Sequence, residues 1–402
     1  MNVLWITSVY PSADHPGSGV FHETQVQALL SQGVKVTVIC PIPESPFFIR
    51  LFKKQYKKRD GEELSYVRKG VKVYRPRYLA IPGQLRWAQP DLRIAACISR
   101  TLEEYDLKPD LIHAHFAMPS GGAARLVAKE KEIPWLLTLH GSDVNIYPHY
   151  SKGAMRVFTE AVTEASAVLA VSARLKSKTT ELTGIEGNVL PIGVNLAKFA
   201  KFTESKDELR RRLMLPTDKK LVVFVGRLTK AKGVNELVNA MEHVSEDIAF
   251  VFVGDGPEKE KLVKHKELNR RLFLTGQVEN EQVRSYLVAG DVFALPSYTE
   301  GMPTVLIEAI ALKIPVICTA VGGVPELFGP YANLLIAKKS VQSLVERIED
   351  IVFGGVYTSK QQQYLYEHIQ KNYDVNRNAS LLAELYQEII NEGNDVSWRK
   401  WL

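Results

Sequence analysis

Arg227 and Lys232 flank a short turn, Gly226-Arg227-Leu228-Thr229-Lys230-Ala231-Lys232-Gly233, between an apolar run, Leu221–Val225, and a helical stretch opening near Val234. Gly226 lets the backbone turn sharply where the apolar run ends. Two cations at a helix start add to the free N–H groups and partial positive charge already there, a chemistry that suits a diphosphate. Taken alone, the segment also reads as a solvated basic loop. A second segment favours the diphosphate. Pro296-Ser297-Tyr298-Thr299-Glu300-Gly301-Met302-Pro303-Thr304 follows the run Val292–Leu295 and precedes a helical stretch, Val305–Leu312. The Gly301–Thr304 backbone can point N–H groups at an anion. Glu300 and Glu308, with seven residues between them, fall on the loop and about one turn inside the helix. A carboxylate beside a diphosphate is tolerable where hydroxyls donate to it. Sugars supply hydroxyls, so the combination points to a nucleotide-sugar.

The first half of the chain carries weaker signals. Pro16-Gly17-Ser18-Gly19-Val20-Phe21-His22-Glu23 is a glycine-rich turn opening a helix, either a close approach of backbone to ligand or a plain turn. His140-Gly141-Ser142-Asp143 follows the run Trp135–Leu139; its histidine reads as a site residue, while Ser142 or Asp143 can equally cap a helix. Ser172 and Arg174 follow another apolar run and can line the same region. His113 and His115 alternate on one strand and share a face, but without a third histidine or a carboxylate they make a poor metal site. No Asp-x-Asp pair and no nucleophile constellation accompany them.

The elements that must position these residues repeat one pattern twice. Val3–Ile6, Val34–Cys40, Leu111–His115, Trp135–His140 and Val168–Val171 read as buried parallel strands, with amphipathic stretches such as Val20–Gln32 and Ser120–Lys131 between them. Leu221–Val225, Phe250–Val253, Leu272–Leu274, Val292–Leu295 and Val316–Cys318 repeat the alternation. This predicts two doubly wound α/β sheets with a cleft between them and ligands at the carboxyl ends of the strands. At 402 residues the chain is long enough for two such domains. We place them at 1–190 and 191–374, with helices over 375–402 that carry Trp398 and Trp401 and pack back on the first. Cys40, Cys97 and Cys318 sit in apolar runs without metal-ligand spacing, which suggests a reducing compartment. The first residues lack a basic leader, and no apolar run approaches the ~20 residues a spanning helix needs. A cytoplasmic protein is the expectation.

In order along the chain, Arg227…Lys232-Gly233, Gly254-Asp255-Gly256-Pro257, Pro296-Ser297…Glu300-Gly301-Met302-Pro303…Glu308-Ala309 and Gly322-Gly323-Val324-Pro325-Glu326 resemble the donor-binding half of retaining glycosyltransferases of family 4, which have the GT-B fold. The likeness extends across nearly the whole chain. It implies that Gly226, Arg227 and Lys232 hold the donor diphosphate, with the two cations stabilising charge on the leaving group. Glu300 then lies by the donor sugar, the Gly301-Met302-Pro303-Thr304 backbone on the distal phosphate, and Glu308 on the ribose. The base rests near Gly276-Gln277-Val278. Gly19 implies a contact with the donor phosphate, His140 one with the donor sugar, and Gly17, His140, Asp143 and Ser172 the acceptor side. This chain lacks the Gly-Gly pair of many relatives in that loop. The resemblance implies retention of configuration without a required cofactor or metal, a donor that is more often a UDP-sugar, and an acceptor that is a lipid-linked or other glycan. Similar bacterial enzymes build cell-surface polysaccharide. A GT-B epimerase of nucleotide-sugars and a degenerate, non-catalytic partner are the competing readings.

The net charge of +6, from 51 basic and 45 acidic residues, is concentrated locally: Arg50, Lys53, Lys54, Lys57, Lys58 and Arg59 fall within ten residues without an acid. On a helix Phe48, Phe52 and Tyr56 align within this Phe47–Arg59 segment, the pattern of an interfacial segment on an anionic membrane. A solvated helix with its aromatics on the core is the alternative; no nucleic-acid-binding motif accompanies the patch. Replacing Lys53, Lys54, Lys57 and Lys58 with Glu should release the protein from anionic vesicles in a co-sedimentation assay. Unchanged sedimentation would exclude the membrane reading.

Overall fold

The computed structural model describes residues 1–46, 63–199, 204–355 and 357–392. The Phe47–Arg59 segment, Trp398 and Trp401 lie outside them. The chain forms two compact units, Met1–Asp14 with His22–Pro191 and Asn376–Leu402, and His15–Phe21 with Ile192–Val375.

Among the described residues the first unit has ten strands: β1 (Asn2–Ile6), β2 (Lys35–Ile39), β3 (Ile42–Glu44), β4 (Ser65–Arg68), β5 (Val71–Tyr74), β6 (Arg77–Leu79), β7 (Leu111–His115), β8 (Trp135–Leu139), β9 (Ala167–Ala170) and β10 (Asn188–Val189). Eight of them make one sheet in the order β10-β9-β8-β7-β1-β2-β5-β4, and β3 pairs with β6 apart from it. All neighbours in the large sheet run parallel except β4, which pairs antiparallel with β5. The β-branched and leucine-rich runs of β1, β7 and β8 are buried on both faces, as a sheet covered by helices requires. The predicted strands recur with ends shifted by a residue or two. Strands β3 to β6 have no counterpart in the sequence reading, because they are only three or four residues long.

The helix Val375–Glu392 enters the first unit at Asn376. Its Tyr386 is fully buried, with its hydroxyl 2.5 Å from His113 Nδ1, and Asn378 donates to the Pro191 carbonyl at 2.8 Å. His113 Nε2 lies 2.7 Å from Thr138 Oγ1, so both nitrogens of this core histidine have partners.

Among its described residues the second unit has a parallel sheet of five strands: β11 (Lys220–Val225), β12 (Ile248–Val253), β13 (Leu272–Gly276), β14 (Val292–Leu295) and β15 (Val316–Cys318), in the order β13-β12-β11-β14-β15. Its core runs through Phe224, Phe250, Phe252 and Phe293, all essentially inaccessible. In both sheets the strand order reverses at the first strand: β1 sits between β7 and β2, and β11 between β14 and β12. The loops leaving the two strands on either side of such a reversal diverge and open a crevice.

Among the described residues no helix is long and apolar enough to cross a membrane. Tyr386→Phe should leave His113 Nδ1 buried without its partner and lower the unfolding free energy of the first unit by about 1–3 kcal/mol. Urea denaturation followed by tryptophan fluorescence measures the change; a midpoint equal to wild type would show that the hydroxyl carries no weight.

Candidate active site

In the second unit the reversal sets the loop after β11 beside the loop after β14. The first runs from Gly226 through exposed Arg227 to a single turn at Lys230–Lys232 and then into the helix Val234–Met241. Leu228 anchors it by donating its N–H to the Asp255 carbonyl and accepting from Glu258. The second loop carries Pro296 to Pro303 and opens the helix Thr304–Ala311. Tyr298 N–H donates to the Ala231 carbonyl at 2.8 Å, tying the two loops together, and the Tyr298 hydroxyl bonds the Glu236 carboxylate.

Backbone meets backbone at two further points. Gly233, at φ +73°, lies so close to Pro296 that a Cβ would fall 2.2 Å from its carbonyl oxygen. Gly322, at φ +56°, lies against Glu300 with only 2.0 Å for a Cβ, and Gly323 N–H donates to the Gly301 carbonyl at 2.7 Å. Any side chain at either glycine would push the loops apart. Held this way, Lys232 Nζ donates to Glu300 Oε1 at 2.6 Å. The glutamate side chain is 8% exposed and the lysine 30%.

Glu308 lies four residues into the helix Thr304–Ala311, and burial of its carboxyl pushes its pKa up to about 7. Gly301, Met302 and Thr304 are partly accessible and Pro303 is buried. Val278, just past β13, is half-buried beside exposed Gln277. The segment His15–Phe21 groups with this unit, with Gly17 against the Gln277 side chain and Gly19 buried in a left-handed conformation.

In the first unit the corresponding reversal gathers histidines. His115 ends β7, half-buried His140 follows β8, and His22 sits at the start of the helix Val20–Ser31, which follows β1. His115 Nδ1 is 3.0 Å from His140 Nε2, and His22 Nε2 is 2.9 Å from Thr7 Oγ1. Trp5 stacks on His115 at 3.9 Å between ring centroids, and Phe116 covers His140 at 4.4 Å. Burial depresses the pKa of all four histidines, with His22, His113 and His115 well below the usual range and His140 down to about 3, so the cluster is neutral at physiological pH. The poor metal outlook for His113 and His115 assumed no third histidine; the fold brings His22 and His140 beside His115.

Two acceptor-side expectations change. Asp143 is fully buried, and its carboxylate accepts from the backbone N–H groups of Ala117 at 3.0 Å, His140 at 3.1 Å and Gly141 at 2.7 Å. It clamps the loop that carries His140 rather than facing a ligand; burial raises its pKa while the three donors pull it down. Ser172, 1% exposed, caps the helix Ala173–Thr183 by accepting from Leu175 N–H. Both side chains make local contacts with backbone N–H groups. His22, quoted in the glycine-rich run but given no role, is the residue the sequence reading missed, and only the strand order reveals it.

Comparison with known proteins agrees with this geometry. The model for Glycosyltransferase Family 4 matches residues 17–198, and that for Glycosyl transferases group 1 matches residues 205–371. TuaC of Bacillus subtilis (strain 168), a glycosyltransferase assigned to teichuronic acid biosynthesis, is 52% identical over 97% of this chain and 99% of its own. Among solved structures, sucrose-phosphate synthase from Thermosynechococcus elongatus superposes with a TM-score of 0.78 at 21% identity, covering 98% of this chain and 100% of that one. HepE of Anabaena in complex with UDP-glucose gives 0.72 at 20% identity, covering 96% and 99%. With two Rossmann-like sheets, a match over nearly all of TuaC and family models on both halves, the chain belongs to the family-4-like glycosyltransferases and has their GT-B fold.

Proposed function

We propose that the protein transfers a sugar, with retention of configuration, from a nucleoside-diphosphate donor, UDP-sugar by preference, to a lipid-linked or other glycan acceptor in the synthesis of a cell-surface polysaccharide. The observation that carries the donor site is the meeting of Lys232 and Glu300 on two strand-end loops at the sheet's reversal point. The kinship with TuaC supports the pathway, and the UDP and UDP-glucose complexes of HepE support the donor class.

In this reading the diphosphate lies over Gly226, Arg227 and the N-terminus of the helix Thr304–Ala311. Lys232 is shared between Glu300 and the phosphates. Glu308 accepts from the ribose hydroxyls, the base lies by Val278, and the Gly301–Thr304 backbone holds the distal phosphate. His140 touches the donor sugar, and Gly17 and Gly19 border the phosphate and acceptor. The acceptor hydroxyl attacks the anomeric carbon from the leaving-group side. The bond from that carbon to the phosphate oxygen breaks as the new glycosidic bond forms, and the departing phosphate takes the hydroxyl proton. The side chains supply position and charge stabilisation rather than a covalent intermediate.

Calorimetric titration with UDP, GDP and ADP, wild type beside Arg227→Ala, tests the donor site directly. One nucleotide should bind and the substitution should abolish it. Arg227→Ala and Lys232→Ala should each lower kcat/KM by about 10²–10³-fold; near-normal rates in both would remove the diphosphate assignment.

Glu308 gives an independent test. Its folded pKa of about 7 lies above the ordinary 4.5, so between these values the folded state holds more protons than the unfolded and stability falls as pH rises. Glu308→Gln, which takes no proton, should gain up to about 3 kcal/mol over wild type above pH 7 and nothing near pH 4. The same variant should bind nucleotide about tenfold more weakly through a lost charged acceptor. Greater stability with unchanged nucleotide affinity would leave Glu308 without a ribose role.

A further inference from the structure

Three histidines from distant parts of the sequence converge where the first sheet reverses its strand order. His115 Nδ1 and His140 Nε2 are 3.0 Å apart, and the ring centroids of His22 lie 4.6 Å from His115 and 5.3 Å from His140. One ligand atom from each ring can be chosen so that all lie within 4.8 Å of one another. Tetrahedral zinc with Zn–N bonds of 2.0–2.1 Å requires N···N separations of about 3.3 Å. The His115–His140 pair is near that spacing, and a ligand atom of His22 lies within 4.8 Å of both.

We propose that His22, His115 and His140 form a binding site for a divalent ion of the zinc class, one that the sugar-transfer reaction does not require. Thr7 Oγ1 lies 2.9 Å from His22 Nε2, a contact of the kind that fixes ring and tautomer. Trp5 and Phe116 wall the site with rings. The carboxylate nearest His140 in sequence, Asp143, is taken up by backbone N–H groups. Three imidazoles without an oxygen set select Zn²⁺, Co²⁺, Ni²⁺ or Cu²⁺ over Mg²⁺ and Ca²⁺. Three neutral ligands leave the ion's charge uncompensated, so a fourth position takes hydroxide or another anionic oxygen.

The test uses the full chain, freed of metal with a chelator and titrated with Co²⁺. One equivalent should bind with the intense visible absorption of four-coordinate cobalt; Zn²⁺ should displace it, and Mg²⁺ and Ca²⁺ should not. His22→Gln and His140→Gln should each weaken binding on the order of 100-fold or more. His149→Gln, at an exposed histidine away from the cluster, should bind like wild type. Near-UV circular dichroism confirms folding, and because His140 is only half-buried its variant keeps the test open if His22→Gln does not fold. Failure of the wild type to bind, the weak colour of six-coordinate cobalt, or a band that survives both substitutions would overturn the proposal. None of these readouts depends on nucleotide binding or turnover.

Discussion

The placement of the first strand in the middle of each sheet is the constraint on which the sites depend. With β11 between β12 and β14, the loop after β11 and the loop after β14 become neighbours although some seventy residues separate them in sequence. The ion pair between Lys232 and Glu300 follows from that placement and does not hold it. A partly exposed pair of this kind contributes about 0–1 kcal/mol. What fixes the loops is backbone: Tyr298 bonded to Ala231, Gly323 bonded to Gly301, and carbonyls lying where a Cβ would otherwise be. A rigid backbone frame around a weakly held cation suits an anion site, since Lys232 can be re-shared without moving the loops. The frame is preorganised and the charge is available.

The first unit applies the same topology to a different inventory. Here the reversal gathers imidazoles, and burial keeps them neutral, so they act through hydrogen bonds and ring faces rather than charge. His113 is satisfied on both nitrogens by Thr138 and Tyr386, which makes it a structural histidine and draws the C-terminal helix into the sheet's core. His115 is bound to His140 and stacked by Trp5, and Asp143 accepts from His140 and Gly141 after β8 and from Ala117 after β7. The half-buried ring of His140 is therefore positioned from two sides at once.

The strands were legible because β-branched and apolar runs buried on two faces leave a strong mark, and the second unit's site because each of its loops is a contiguous motif directly after such a run. Arg227, Lys232, Glu300 and Glu308 needed no knowledge of strand order to be singled out. The histidine cluster did. His22, His115 and His140 are spread over more than a hundred residues, and only the order β8-β7-β1 brings them together. The local backbone roles of Asp143 and Ser172 were not legible for another reason. A polar residue just past a strand end looks the same whether its side chain meets a ligand or caps the next turn, and the choice rests on backbone geometry that sequence does not display.

The two glutamates of the second unit show how one motif divides its labour. Glu300 sits on the loop with a lysine at hydrogen-bond distance; Glu308 sits in the helix where burial dominates and lifts its pKa to about 7. A carboxylate in the second setting is costly to ionise. Hydroxyl groups donating to it would offset that cost by favouring the charged form. A ligand that donates to Glu308 is thus linked to loss of its proton.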